Sequence, residues 1–269
     1  MKSILLYAHD DDGMESRLQA ALDLARFDEG HVDCVTVKPL TALMMSDPFG
    51  ASFIIPAAME AIDNAAEAAQ ARMAARMAHE DVAWSLSEGD GDAAEILVGR
   101  ARLSDLVVLS LGESNGGSDA PHAMIGDVVM TSDVPVFAVP YGLNRVRFDG
   151  TAMVAWNGTV EAANAMRAAV PLLTKAGEVH IVTIGEGDMQ YPATEAAAYL
   201  SRHGIKAEVH EEPRGDRSVP EALFAVVERL QADWMVMGAY GHGRLREMLF
   251  GGVTREFLGR SRIPIFITH

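Results

Sequence analysis

The chain has 269 residues, with 22 Lys and Arg against 38 Asp and Glu, a formal charge of −16 and a pI near 4.9. Such a field excludes nucleic acid as a partner, because binding a phosphate backbone needs clustered cations. Cys34 is the single cysteine, so no intrachain disulfide forms, and no stretch reaches the roughly 18 consecutive apolar residues of a membrane helix. The apolar core of residues 1–9 is too short for a signal peptide, so a cytoplasmic, membrane-free protein is expected. The length suits two domains of about 120 to 145 residues, a size that buries roughly two-thirds of the unfolded chain's surface.

The first predicted element is an apolar strand at 3–9 ending in His9, followed by an alanine-rich helix over 18–25. A strand at 32–37 follows, in which Cys34 reads as a small buried hydrophobe. Residues 40–56 form an unusually apolar insertion, with Leu43-Met-Met45 and Phe53-Ile-Ile55, that packs on its own domain or serves as a lid or partner surface. It runs into a helix over 57–78, and residues 82–85 are a candidate strand whose flanking polarity marks a sheet edge. Asp92 and Glu95 have the spacing of a capping box, opening a helix that leads to a buried strand at 106–109. The turn-rich stretch 114–121 precedes Gly126, which is expected to open a helix, and residues 134–139 close the first half.

After a linker at 141–147 the order repeats. A strand at 151–157 ends in Asn157, a helix spans 162–173, and residues 179–184 nearly duplicate the hexapeptide at 32–37, with Ile181 opposite Cys34. A candidate edge strand lies at 206–209, Ser218 and Glu221 form a second capping box, a buried strand occupies 234–237, and residues 263–268 close the chain. Strands that are continuously apolar indicate parallel sheets covered on both faces. The fold class is therefore α/β, two doubly wound parallel-sheet domains in tandem, at 1–142 and 148–269. Each half is expected to form its own sheet, the two docking through the closing strands around Val136 and Ile265.

One motif carries chemistry. Directly after the strand at 234–237 come Gly238 and Gly241, then nine residues, then Gly251-Gly252-Val253-Thr254. Glycines between a strand and a helix start let backbone N–H groups approach an anion, and the helix N-terminus adds unsatisfied donors and a favourable dipole. The charge also reverses locally, with His242, Arg244, Arg246 and Arg255 in or beside the loop against Glu247 and Glu256. This segment resembles the universal stress protein family, whose nucleotide loop has the pattern Gly-x2-Gly-x9-Gly-Ser/Thr after the fourth strand. Gly238, Gly241 and Gly251 match it, Gly252 stands at the Ser/Thr position, and Asn157 stands where the family commonly has Asp. The resemblance extends over both halves. In the first, Ser110 and Glu113 fall opposite Gly238 and Gly241, where a side chain and a carboxylate would crowd and repel a phosphate. The N-terminal half thus reads as a degenerate copy.

Other constellations fall away. His9-Asp10-Asp11-Asp12 reads as a turn and helix entry, since adjacent side chains project in different directions. There is no P-loop, no Gly-x-Gly-x-x-Gly after a strand and no Gly-x-Ser-x-Gly elbow. His180, His203, His210 and His269 show no ligand spacing, so no metal site is expected. The 15 methionines are adaptable core filler.

The resemblance implies a tandem universal stress protein of Rossmann-like, adenine nucleotide alpha hydrolase-like fold, its repeats mimicking the dimer of single-domain relatives as an intramolecular pseudo-dimer, with a further homodimer allowed. It implies regulatory binding of ATP or another adenine nucleotide, with or without Mg2+. Ala155, Asn157 and Ile184 would border adenine and ribose, while Gly238, Gly241, Gly251, Gly252, Val253 and Thr254 would cradle ribose and phosphates. A nucleotide-free module recruiting unknown protein partners through its sheet edges and the apolar insertion is the alternative. Slow ATP hydrolysis ranks last, for want of an identifiable general base.

Overall fold

A computed structural model describes residues 1–38, 56–112, 120–185, 191–239 and 252–269. Residues 40–55 of the apolar insertion, Glu113, Gly241, Gly251 and the loop cations His242, Arg244 and Arg246 lie outside the described residues.

The first half runs β1 (Ser3–Tyr7), α1 (Met14–Asp28), β2 (His31–Lys38), α2 (Pro56–Met77), β3 (Ala83–Asp90), α3 (Ala93–Ala101), β4 (Leu106–Ser110), α4 (Ala120–Ser132) and β5 (Val136–Val139). The second repeats it with β6 (Thr151–Ala155), α5 (Val160–Leu173), β7 (Glu178–Ile184), α6 (Ala193–Arg202), β8 (Ala207–Glu212), α7 (Val219–Leu230), β9 (Trp234–Gly238), α8 (Gly252–Arg260) and β10 (Ile265–Thr268). Gly126 lies inside α4 and does not open it. The full reciprocal capping box forms at Ser218 and Glu221, whereas at Asp92 the side chain accepts from the Glu95 N–H.

The two halves do not form separate sheets. One ten-stranded sheet has the order β3-β2-β1-β4-β5-β10-β9-β6-β7-β8, and the halves meet where β5 and β10 pair antiparallel, Phe137 opposite Phe266. The remaining described pairings are parallel. Pairing the two closing strands removes both of their free edges, which two separate sheets would leave exposed. The expected contact around Val136 and Ile265 is thus a continuous hydrogen-bonded ladder. The two candidate edge strands, β3 and β8, are the outer edges.

Burial follows this order. β4, β5 and β10 are buried along their whole length, while every position of β3 and β8 is half-buried or exposed. The two faces form two apolar layers. One packs Ile4, Leu6, Cys34, Val154 and Ile181 under α1, α2, α5 and α6. The other packs Leu5, Val35, Met153, Val182 and Met237 under α3, α4, α7 and α8. This is the period-two alternation of a strand buried on both sides. The Cys34 thiol is pushed up to about 12, first by burial and then by Asp33, so it stays a protonated core group.

The linker is fastened rather than loose. The Val146 N–H donates to Asp23 Oδ2 at 2.7 Å. Phe148, 2% exposed, sits with its ring centroid 5.6, 5.3 and 6.0 Å from those of Phe27, Phe137 and Trp234, which come from both halves. Burying one such ring contributes about 2–3 kcal/mol, so the aromatic cluster anchors the connection.

Candidate functional site

In the second half the chain leaves β6, builds β7 and β8 to one side, then returns to place β9 on the other side of β6. The carboxyl ends of β6 and β9 therefore diverge at a topological switch point, where open α/β sheets offer a crevice. A cavity of about 220 Å³ opens there. Its apolar side is made by Ala155, Val182, Ile184, Val219, Leu223 and Met237, and its polar side by Asn157, Thr159, Glu161, Gly238, Gly252 and Thr254.

Local sequence explains each wall. After β6, Asn157 Oδ1 accepts from the Thr159 N–H at 3.2 Å and from Thr159 Oγ1 at 2.9 Å, closing an Asx turn. Thr159 then caps α5, its hydroxyl accepting from the Ala162 N–H. The carbonyl oxygen of Asn157 is thus committed to the turn, while Asn157 itself lines the cavity. A second helix, α8, starts at the opposite wall with Gly252 and Val253 lining the cavity and Thr254 5% exposed. Two helix N-termini with their unsatisfied backbone donors therefore border one crevice. Glu161 is the one carboxylate among the described lining residues.

Gly238 has a structural reason that its spacing did not reveal. A Cβ on it would lie 2.4 Å from Glu161 C and 2.5 Å from Ala162 N, so β9 and the start of α5 touch backbone to backbone. Seven of the nine residues expected at the site, Ala155, Asn157, Ile184, Gly238, Gly252, Val253 and Thr254, line this cavity. Gly241 and Gly251 lie outside the described residues.

The corresponding place in the first half is filled from within. The registers equate Leu6 with Val154 and Val108 with Val236, so Tyr7 stands for Ala155 and Ser110 for Gly238. Arg17, 1% exposed, lies there with Nη1 2.9 Å from Asp11 Oδ1 and 2.7 Å from Ser110 Oγ, Nη2 2.7 Å from His9 O and Nε 3.0 Å from Tyr7 O. Its guanidinium also stands 5.6 Å from the centre of the Tyr7 ring. Burial raises the Tyr7 phenol to about 12, so it stays neutral. The close strand–helix approach survives with the glycine on the other partner: a Cβ on Gly13 would lie 2.5 Å from Ser110 Oγ. Glu113, expected to close this site, lies outside the described residues. Arg17 and Tyr7, which the spacing of glycines could not point to, occupy the place instead.

One expectation about histidines is overturned. His180 and His210 are not scattered: their rings meet across β7 and β8, Nδ1 to Nε2 at 2.9 Å, with Glu208 beside them. The 30-residue separation hid this, because parallel strands bring together residues that a crossover keeps apart in sequence.

The model of the Universal stress protein family matches residues 150–269. A universal stress protein of Mycobacterium tuberculosis is 38% identical over 76 residues, 28% of this chain and 26% of that protein. The match thus spans about a quarter of the length of that relative. The crystal structure of a universal stress protein from Archaeoglobus fulgidus superposes with a TM-score of 0.74 at 20% identity, covering 99% of this chain and 96% of that one. A universal stress protein in complex with cAMP covers 45% of this chain and 97% of its own at 19% identity, with a TM-score of 0.36. No helix among the described residues is long and apolar enough to cross a membrane. Residues 150–269 thus match the model of the universal stress protein family, and the whole chain shares its fold with a solved universal stress protein.

Proposed function

We propose that the C-terminal half binds ATP or a related adenine nucleotide at the switch-point cavity, and that the chain is a stress-response regulator with one nucleotide site. The observation that carries this reading is the convergence of the α5 and α8 N-termini on a crevice with one apolar wall. A base needs an apolar face and a few aimed polar groups; a phosphate needs backbone donors at a helix start. Ala155, Val182, Ile184, Val219 and Leu223 suit adenine, the Asn157 amide offers donors to its ring nitrogens or to ribose, and Gly252, Val253 and Thr254 suit the phosphates. With Glu161 as the one described carboxylate of the lining, Mg2+ would travel on the phosphates. Residues 1–142 act as the degenerate repeat and 148–269 as the binding repeat.

The chain itself suggests the test. Ala155→Tyr places in the second half the residue that Tyr7 supplies in the first. The variant is expected to keep its melting temperature and lose ATP binding in calorimetry, while the unaltered chain binds one equivalent. Unchanged affinity in Ala155→Tyr, or two equivalent sites per chain, would overturn the assignment.

A further inference from the structure

The outer strands of the second half carry a cluster that the nucleotide site leaves unused. β7 and β8 pair with His180 opposite Glu208 and Val182 opposite His210, so positions 178, 180, 208 and 210 share one face of the sheet. His180 Nδ1 lies 2.9 Å from His210 Nε2 and 3.9 Å from Glu208 Oε2, and His210 Nε2 lies 3.7 Å from Glu208 Oε1. Behind His180, its other nitrogen, Nε2, faces Glu178 Oε2 at 3.5 Å. His180 is 7% exposed, whereas the Glu208 side chain is 69% exposed.

We propose that His180, His210 and Glu208 bind one divalent transition-metal ion of the Zn2+ type, with solvent in the remaining position. Donor chemistry favours this class: two imidazoles and a carboxylate suit zinc and its neighbours, whereas calcium and magnesium require oxygen ligands. Distance is compatible. Two nitrogens each about 2.1 Å from an ion stand about 3.0 Å apart in cis octahedral geometry and about 3.4 Å apart in tetrahedral geometry. The present 2.9 Å already fits the first and needs a small ring rotation for the second.

Tautomers point the same way. A carboxylate behind a metal-ligating imidazole holds the proton on the far nitrogen and directs the near lone pair at the ion. Glu178 stands in that position, leaving His180 Nδ1 as an acceptor that takes the proton of His210 Nε2 when no ion is bound. Metal entry replaces this one shared proton: the His210 Nε2–H bond breaks, the proton leaves to water, His210 takes a proton on Nδ1 from water so that its imidazole stays neutral, and Nδ1 of His180 and Nε2 of His210 both coordinate. The ion would clip the edge strand β8 to β7 on the face where Val182 and Ile184 border the nucleotide cavity.

The test uses the full chain without an affinity tag, stripped with a chelator and titrated with ZnCl2 by calorimetry and with Co2+ by visible absorbance. One equivalent of either ion is expected, with a rise in melting temperature on Zn2+ addition. Glu208→Gln, at an exposed side chain that cannot compromise folding, and His210→Gln should each abolish stoichiometric binding. Glu178→Gln, which leaves the three ligands in place, should weaken it by about 10- to 100-fold. Absence of binding by the unaltered chain, or binding retained in both Glu208→Gln and His210→Gln, would overturn the proposal.

Discussion

Replacing Gly252 by Ser tests where the phosphates sit with the least disturbance to the fold. Gly252 opens α8 at the cavity wall, and a Cβ placed on it meets no heavy atom of the described residues within 4 Å. Its backbone is not among the glycines of positive φ, so a serine enters without strain. The added hydroxyl restores the group that the family's nucleotide loop carries at this position. A hydrogen bond to a charged group contributes about 1.5–3 kcal/mol, and about 1.4 kcal/mol is a tenfold change in affinity. The dissociation constant for ATP should therefore fall by about tenfold to 100-fold. Serine at a helix start changes stability by only a few tenths of a kcal/mol, so the melting temperature should barely move. Isothermal calorimetry with ATP and, in parallel, adenosine separates the contributions, because adenosine has no phosphate for the hydroxyl to contact. A neutral or weaker response to ATP, or an equal gain for adenosine, would refute the placement of phosphate at the α8 start.

Gly238→Ala drives a Cβ to within 2.4 Å of helix backbone, an overpacking that costs about 1–3 kcal/mol and lowers the melting temperature by about 2–4 °C per kcal/mol. An unchanged melting curve would show that β9 and α5 are not held in contact. Arg17→Ala leaves Asp11 and Ser110 without their shared partner and opens a void beside Tyr7. A loss of about 2 kcal/mol or more is expected in denaturant titration, below the 3–5 kcal/mol of a fully buried pair because Asp11 keeps water; a neutral result would remove Arg17 as the plug of the first half. Hydrogen bonds from Arg76 first, and Arg26 after it, hold the Glu80 carboxyl below its ordinary value of 4.5. A depressed carboxyl stabilises the fold above that value and loses its contribution as pH falls through the folded-state pKa. Glu80→Gln should therefore be less stable than the unaltered chain at neutral pH, and the gap should shrink as pH falls well below 4.5; a gap that stays constant as acid is added would contradict the ion-pair account.

The repeat was legible in the amino-acid order alone, because a strand buried on both faces must be apolar throughout and a helix start needs a cap. That logic locates β4, β5, β9 and β10, the paired caps before α3 and α7, and the two polar edges β3 and β8. The resemblance of the glycine loop to the universal stress protein family adds Ala155, Asn157, Ile184, Gly238 and residues 252–254 as expected site residues, and those residues do line one cavity. What local order could not contain is anything that depends on which strands become neighbours. The union of two sheets into one arises from the β5–β10 ladder. The meeting of His180 with His210 arises from the β7–β8 register. The filling of the first switch point arises because Tyr7 and Ser110, on adjacent strands, converge with Arg17 from α1. Even Gly238, flagged by its spacing, owes part of its identity to a contact 76 residues back in the chain, with the Ala162 backbone. A periodicity reports which side of an element is buried, whereas register and crossover decide what it is buried against, and the chemistry of a site resides in that second choice.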